Sequence, residues 1–296
     1  MSTSISPPGA EADHGDALYH RYEPHKAGLP DLKVYFRDLW RRREFAAEMS
    51  KAGMRGANSM TFFGQAWLII NPLLLAGVYY FIVQVIGGGA RGTNGWSYFS
   101  HLTGGLFCFY YIQGAISAGA GSVVGAGKLI LNTAFPRLLM PLSAVRTGFY
   151  RFLPTLPVYL VFHVLAGNPF NLVTVFIAPI FLFLISVFAS GLAALFAALQ
   201  VYFRDTAAFL PYIMRLWLYI SPVLWTVDMI SSHGAARRLA PFNPLYPLLG
   251  GYGEALQNGV MPELSMWLLA VFWATLSCVL GFAYFVSRER DFAVRI

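Results

Sequence analysis

The Gly-Lys pair at residues 127–128 is the feature of this sequence closest to a phosphate-binding loop. Residues 125–128 read Gly-Ala-Gly-Lys. A Walker motif also needs a glycine five residues before the Gly-Lys pair and Ser or Thr directly after it. Those positions hold Ser122 and Leu129. We therefore expect no nucleotide site here, so ATP-driven work would depend on a site in another polypeptide.

Carboxylates, on which acid–base and metal chemistry depend, are missing from the middle of the chain. No Asp or Glu lies between Glu48 and Asp205. Proton-coupled carriers and membrane enzymes that act on sugars or phosphates use such groups, so both classes are disfavoured. His163 is expected to be a hydrogen-bonded structural residue. We expect no catalytic, metal-binding or cofactor-binding residue in this chain.

The elements that carry these residues have the composition of a membrane protein. Of 296 residues, 57% are hydrophobic and 12% are charged, which is about half the charge of a soluble domain. Apolar segments long enough to cross a hydrocarbon core of about 30 Å predict an all-α integral membrane fold with six transmembrane helices. They lie near residues 63–86, 98–119, 142–166, 171–201, 211–227 and 264–286.

The residues before the first span divide into a tail and an amphipathic helix. Residues 1–30 are polar, rich in Pro and Gly, and lack the apolar core of a signal peptide. From Asp31, aromatic and leucine side chains recur at helical spacing opposite Arg and Lys. This pattern is typical of a helix in the membrane interface, although packing on a soluble partner is an alternative. We expect a flexible cytoplasmic tail at 1–30, an interfacial helix and connector at 31–62, and a transmembrane domain at 63–296.

The distribution of basic residues predicts the orientation. The N-terminal 62 residues, two alternate connections and the C-terminus hold 18 of the 21 Lys and Arg residues, and the other three are Arg91, Arg237 and Arg238. Loops rich in Lys and Arg remain in the cytoplasm. We therefore expect a multi-pass protein of the inner (cytoplasmic) membrane with both termini in the cytoplasm. No basic run is dense enough to indicate nucleic-acid binding.

Several short motifs follow one another over roughly residues 35–296. They are Phe63-Gly64-Gln65-Ala66-Trp67, Asn71-Pro72, Phe135-Pro136-Arg137, Tyr202-Phe203-Arg204-Asp205, Ser221-Pro222-Val223 and Asn243-Pro244. In this order and on six spans, they resemble the membrane subunit of ABC-2-type polysaccharide exporters, the family of O-antigen, teichoic acid and capsule permeases. Overall similarity leans toward the mycobacterial exporter of lipid-linked galactan. Leu138 departs from the pattern, because many relatives have an acidic residue there.

The resemblance implies a homodimeric permease that exports a lipid-linked glycan. It also implies two copies of a separate ATPase subunit, which hold ATP and magnesium and dock on the turns at 132–139 and 204–209. The residues assigned to this coupling are Phe135, Pro136, Arg137, Arg204 and Asp205. Alternatives are an ABC-2 drug or lipid exporter, or a membrane-embedded glycosyltransferase or flippase. Arg137 could also be a topology signal only.

Three further sets of residues could act on such a substrate. Aromatic rings can stack on sugars, although they also form interface belts and helix contacts. The aromatic residues expected to line a substrate channel are Tyr79, Tyr80, Phe109, Tyr110, Tyr111, Trp217, Tyr219 and Trp225. Cations beside the first span could hold an anionic lipid head group, or bind membrane phospholipid and fix orientation. These cations are Arg41, Arg42, Arg43, Lys51 and Arg55. In the long outer loop, two short helices are expected to form a gate with Tyr246, Leu248, Leu249 and Tyr252.

Overall fold

The computed structural model describes residues 31–56, 63–82, 95–133, 135–227 and 238–295. Within these ranges the chain forms helices joined by turns, which confirms the prediction of an all-α integral membrane protein. The predictions for the tail at 1–30 and for Arg91 and Arg237 lie outside the described residues. The helices are α1 (Leu32–Arg41), α2 (Arg43–Gly56), α3 (Trp67–Tyr80), α4 (Gly95–Gly125), α5 (Gly127–Asn132), α6 (Leu139–Phe152), α7 (Thr155–Leu165), α8 (Leu172–Tyr202), α9 (Thr206–Ile220), α10 (Leu245–Gly253) and α11 (Leu264–Arg288).

Three of these helices, α4, α8 and α11, are each long and apolar enough to cross a membrane. Helices α6 and α7 are bent by 41° relative to each other and are together long and apolar enough for a fourth, broken span. Pro154 lies at the break and cannot donate the backbone hydrogen bond that would continue the helix, which explains the bend. Because α3 and α9 are shorter apolar helices, the count of six spans stays a prediction.

The structure corrects the predicted boundary of the fifth helix. The fifth helix covers Thr206–Ile220 rather than 211–227, because Ser221 is extended and Pro222 cannot continue the helix. In the described part of the long loop, a short 3-10 helix at Ala240–Phe242 precedes α10, which runs into a π-helical turn at Glu254–Asn258. The two gate helices stay a prediction, because part of this loop lies outside the described residues.

The interfacial region contains two helices where one helix and a connector were predicted. Asp31 caps α1 by accepting a hydrogen bond from the Lys33 amide at 3.0 Å. The second helix, α2, packs on α6, and the Thr147 hydroxyl donates to Ser50 Oγ at 3.1 Å. This contact places α2 against the transmembrane helices rather than apart from them.

The centre of the bundle is α8, on which α4, α6, α10 and α11 pack. Its closest neighbour is α11, because Gly191 and Gly281 bring the two backbones into direct contact. A Cβ atom on Gly191 would overlap the Ser277 and Cys278 backbone, and one on Gly281 would overlap Gly191. Two glycines therefore set the spacing of these helices.

Contacts between distant segments define two faces of the bundle. The terminal face holds α1, the turn at 135–138, the end of α8 and residues 288–295, joined by hydrogen bonds from Tyr35, Arg137 and Tyr202. The opposite face holds the turn at 166–171 and the segment after α10, where Asn171 Nδ2 donates to the Gly259 carbonyl at 2.8 Å. Both described ends of the chain therefore lie on one face.

Candidate functional site

A carboxylate from the C-terminal segment holds the first predicted coupling turn. Glu289 Oε1 accepts a hydrogen bond from the Arg137 amide at 2.5 Å, and Oε2 accepts one from the Tyr35 hydroxyl at 2.5 Å. The Arg137 guanidinium donates to the Glu289 carbonyl. We call Tyr35, Arg137 and Glu289 the terminal clasp, because they join α1, the turn before α6 and the end of α11.

The electrostatics of the terminal clasp follow from its burial. Burial raises the pKa of Glu289, while the hydrogen bonds from Tyr35 and Arg137 oppose that rise. Burial and the neighbouring carboxylate raise the pKa of Tyr35 far above its usual range, so its phenol remains a neutral donor. Sequence reasoning missed the clasp because Tyr35 lies 254 positions from Glu289 and Arg137 lies 152 from it.

The two predicted coupling turns differ in how they are held. Phe135 packs on Phe45 of α2 with a ring-centroid distance of 5.2 Å, and Arg137 is engaged in the clasp. Arg204 and Asp205, by contrast, have exposed side chains. Both turns adjoin the C-terminal segment, since the Tyr202 hydroxyl donates to Asp291 Oδ2 at 2.8 Å. The structure thus brings the predicted coupling residues to one face, and their docking role stays a prediction.

Three of the aromatic residues predicted for a channel lie together at one surface. The Tyr79 phenol of α3 interacts with the Tyr219 phenol of α9, and Tyr110 of α4 and Arg215 of α9 lie within electrostatic range of it. Tyr219 is 50% exposed and Arg215 is exposed. We call these four residues the aromatic cluster. It offers ring faces, hydroxyl groups and one cation on a surface open to a ligand.

The other predicted channel residues have packing roles in this structure. Phe109 and Tyr111 are buried in the core, and the Tyr111 hydroxyl donates to Ser186. Tyr80 packs edge-on against Phe99. Trp217 and Trp225 tie α9 to the loop after it, and their hydrogen-bond acceptors and ring partners are Asn243, Tyr219 and Tyr246. Phe109 and Tyr111 therefore present little ring surface to a channel in this conformation, and a channel role for Tyr80, Trp217 and Trp225 stays a prediction.

The predicted gate residues lie mostly inside the protein. Leu248, Leu249 and Tyr252 are buried where α10 packs on α8 and α11. Tyr246 stacks on Trp225 with ring centroids 6.2 Å apart. The short helix therefore closes the opposite face of the bundle in this conformation, and its function as a gate stays a prediction.

The predicted head-group cations are exposed along α1 and α2. Their side chains reach solvent at Arg41, Arg42, Arg43, Lys51 and Arg55. Arg43 lies over the Trp40 ring at 5.2 Å, and Lys51 pairs with Glu48 at 2.6 Å. Arg43 and Lys51 thus have local partners, and a lipid-binding role for the set stays a prediction.

Arg151 was counted among the cations of a cytoplasmic connection, and that topology stays a prediction. In the structure it lies in the last turn of α6, about 18 Å along the helix from Leu139. Its position next to the bend at Pro154 could not be read from charge alone. The described residues contain no cluster of His, Cys, Asp and Glu that could hold a metal ion.

Comparison with known proteins agrees with a membrane permease. No protein-family model matches the sequence. The O-antigen export system permease protein RfbA of Klebsiella pneumoniae is 30% identical over 199 residues, which cover 67% of this chain and 74% of the relative. The permease of the same name from Myxococcus xanthus is 25% identical over 264 residues, or 88% of this chain and 98% of the relative. The chain therefore belongs to the family of O-antigen export system permeases, the ABC-2-type polysaccharide exporter permeases.

Proposed function

We propose that the chain is the transmembrane subunit that exports a lipid-linked polysaccharide across the inner membrane, with both termini in the cytoplasm. Family membership supports its role in polysaccharide export. The aromatic cluster is the observation that supports a sugar substrate. Tyr79, Tyr110 and Tyr219 gather from three helices beside Arg215, and ring faces can stack on successive sugars without selecting one hydroxyl pattern.

The exposure of the aromatic cluster supports a homodimer. One chain supplies only one wall for a polymer, because Tyr219 and Arg215 lie at its surface. A second copy that faces this surface would supply the opposite wall. We therefore place the substrate channel between two copies, at α3 and α9.

Energy must come from a partner, because the sequence lacks a complete Walker motif. The terminal face offers a docking surface of two unlike parts. One is the turn held by the terminal clasp, and the other is the exposed Arg204–Asp205 turn. We propose that two ATPase subunits, which would hold ATP and magnesium, bind this face.

The class of glycan has two candidates. The names of the relatives favour an O-antigen-like polymer, whereas the overall similarity of the sequence leans toward a galactan exporter. Aromatic rings can stack on the sugars of either polymer, so the aromatic cluster does not select between them.

Depletion of the protein in its native host tests this proposal. Lipid-linked glycan should accumulate in the cytoplasmic leaflet, and linkage analysis of the accumulated polymer would identify it as galactan or O-antigen-like. Re-expression of the wild-type chain should restore export. Accumulation of a drug or a simple lipid without glycan would contradict the proposal.

A matched pair of variants ties the activity to the aromatic cluster. A triple Tyr79→Ala, Tyr110→Ala and Tyr219→Ala variant should fail to restore export while its amount in the membrane is normal. Tyr212→Ala is the control, since Tyr212 is also exposed on α9 at 67% but has no place in the cluster. Equal export by both variants would remove the cluster from the mechanism.

A further inference from the structure

Two adjoining cavities form a groove beside α6, which is separate from the predicted head-group cations. The larger, about 880 Å³, opens near α2 and α5 and is lined by Lys128, Ser122 and Ser143. The smaller, about 180 Å³, lies against Tyr110 and Phe107 of α4. Both are lined by Thr147 and Arg151. The groove therefore leads from the terminal face to Tyr110, a member of the aromatic cluster.

Among the described residues, Arg151 at the junction of these cavities forms no ion pair. Its side chain is partly buried, and its Nε atom is buried with no hydrogen-bond partner among the described residues. The residues lining both cavities include no Asp or Glu. A charged group in a membrane domain is costly unless an opposite charge or polar partners compensate it. The charge of Arg151 could therefore be compensated by an anion that binds from outside the protein.

The surroundings of Arg151 fit a phosphate group on an amphipathic molecule. Guanidinium groups bind phosphate oxygens through paired hydrogen bonds. The cation Lys128 lies on the same groove, whereas Leu68, Pro72 and Phe107 make the inner wall apolar. A soluble anion would gain nothing from that apolar wall, but a lipid chain would.

We infer that this groove binds the phosphate-bearing head group of a lipid, with Arg151 as the anion ligand. In an exporter of lipid-linked glycans that lipid is the substrate's anchor, a step that rests on the proposed function. Arg151 would then hold the anchor at the depth where the groove meets Tyr110, so that the attached sugars lie beside the aromatic cluster.

The test is binding of radiolabelled farnesyl diphosphate to the full chain purified in a neutral detergent, measured by scintillation proximity. Arg151→Gln should weaken binding by about tenfold or more, the value of one lost charge-assisted interaction. Arg151→Lys, which keeps the charge, should lose less. Arg146→Gln is the matched control on the same helix, because Arg146 is exposed and its guanidinium donates to the Tyr150 hydroxyl at 3.0 Å.

A second variant covers the case in which Arg151→Gln does not fold, as judged by gel filtration and thermal unfolding. Ala144 lines both cavities, so Ala144→Phe should fill the groove and abolish binding with every charge retained. Wild-type affinity in the folded variants, or an equal loss in Arg146→Gln, would overturn the inference.

Competition separates the two sources of the phosphate. Excess phosphatidylglycerol that displaces the probe would assign the groove to lipid phosphates in general, whereas retention of the probe would assign it to a prenyl diphosphate. Either result supports the groove. If depletion accumulates glycan but the groove variants bind normally, the proposed function stands and the inference fails. If depletion accumulates none but Arg151→Gln loses binding, the groove stands and the proposed function fails.

Discussion

Glu289 shows how one side chain can join three segments of a membrane protein. Its two oxygen atoms accept hydrogen bonds from Tyr35 and from the amide of Arg137 in a part-buried site. Removal of a buried acceptor leaves its donors without partners, and each such donor costs about 1–3 kcal/mol. The carboxylate therefore both stabilises the fold and fixes the position of the predicted coupling turn.

Replacement of this carboxylate should destabilise the protein. Glu289→Ala is expected to lower the free energy of unfolding by about 2 kcal/mol or more, since two donors lose their acceptor. Chemical unfolding in detergent micelles would measure the change. Glu48→Ala is the control, because Glu48 is exposed and pairs only with Lys51, and it should unfold like wild type. Equal behaviour of the two variants would show that the clasp adds no stability.

The same residue predicts a dependence of stability on pH. Because burial raises the pKa of Glu289 in the folded chain, the folded state binds this proton more tightly than the unfolded state. Its contribution to stability therefore increases as pH falls toward the ordinary glutamate pKa of 4.5, and decreases as pH rises through the raised pKa. Glu289→Gln cannot titrate, so its unfolding free energy should lack this component as pH rises from the ordinary glutamate pKa of 4.5. Identical pH profiles for the variant and wild type would contradict the assignment.

Sequence patterns predicted residue types better than residue partners. The tyrosines at 79, 110 and 219 were identified from their positions on apolar segments, and the structure brings them together. Phe109 and Tyr111 satisfied the same criterion, yet they point into the core. A run of aromatics on a helix has rings on all sides, and only the packing decides which side is open.

At the scale of elements, the crossing of α8 and α11 depends on the absence of side chains. Gly191 and Gly281 meet through their backbones, and the Ser277 hydroxyl donates to the Phe188 carbonyl at 2.9 Å in the same region. A methyl group on Gly191 has no space unless the helices separate. Overpacking of this kind costs about 1–3 kcal/mol.

Gly191→Ala should therefore lower the thermal unfolding temperature of the purified protein. Gly121→Ala is the matched control, because no atom lies within 4 Å of the Cβ that it would add on α4. Since alanine favours a helix over glycine by about 1 kcal/mol, the control should be as stable as wild type or more so. An unfolding temperature for Gly191→Ala at or above the control's would show that the two helices separate without cost.

Most helices could be predicted from hydropathy, because a long apolar run in a membrane has one stable conformation. The fourth and sixth apolar segments match α8 and α11 closely. The fifth did not, since the sequence after Ile220 stays apolar although Pro222 ends the helix. The break between α6 and α7 was also not foreseen, because hydropathy does not register a bend.

At the scale of the molecule, the contacts that unite both described ends on one face predict a labelling pattern. Single cysteines in a variant without Cys108 and Cys278 should distinguish the faces, with Thr133→Cys on the terminal face and Val260→Cys on the opposite one. Both sites are exposed. Impermeant reagent added to intact cells should label Val260→Cys only, and opened membranes should label both. External labelling of Thr133→Cys would reverse the proposed orientation.

The length of α9 has a consequence for the lipid around the protein. Its 15 residues span about 22 Å, less than the thickness of about 30 Å that a bilayer core presents. Such hydrophobic mismatch is relieved by local thinning of the bilayer or by oligomerisation. As a predicted membrane span, α9 would deform the bilayer beside Leu216 and Ile220, whose side chains are 63% and 61% exposed. Association of two copies along α9 would remove the deformed lipid from this surface. The elastic energy of the membrane would therefore favour the proposed dimer.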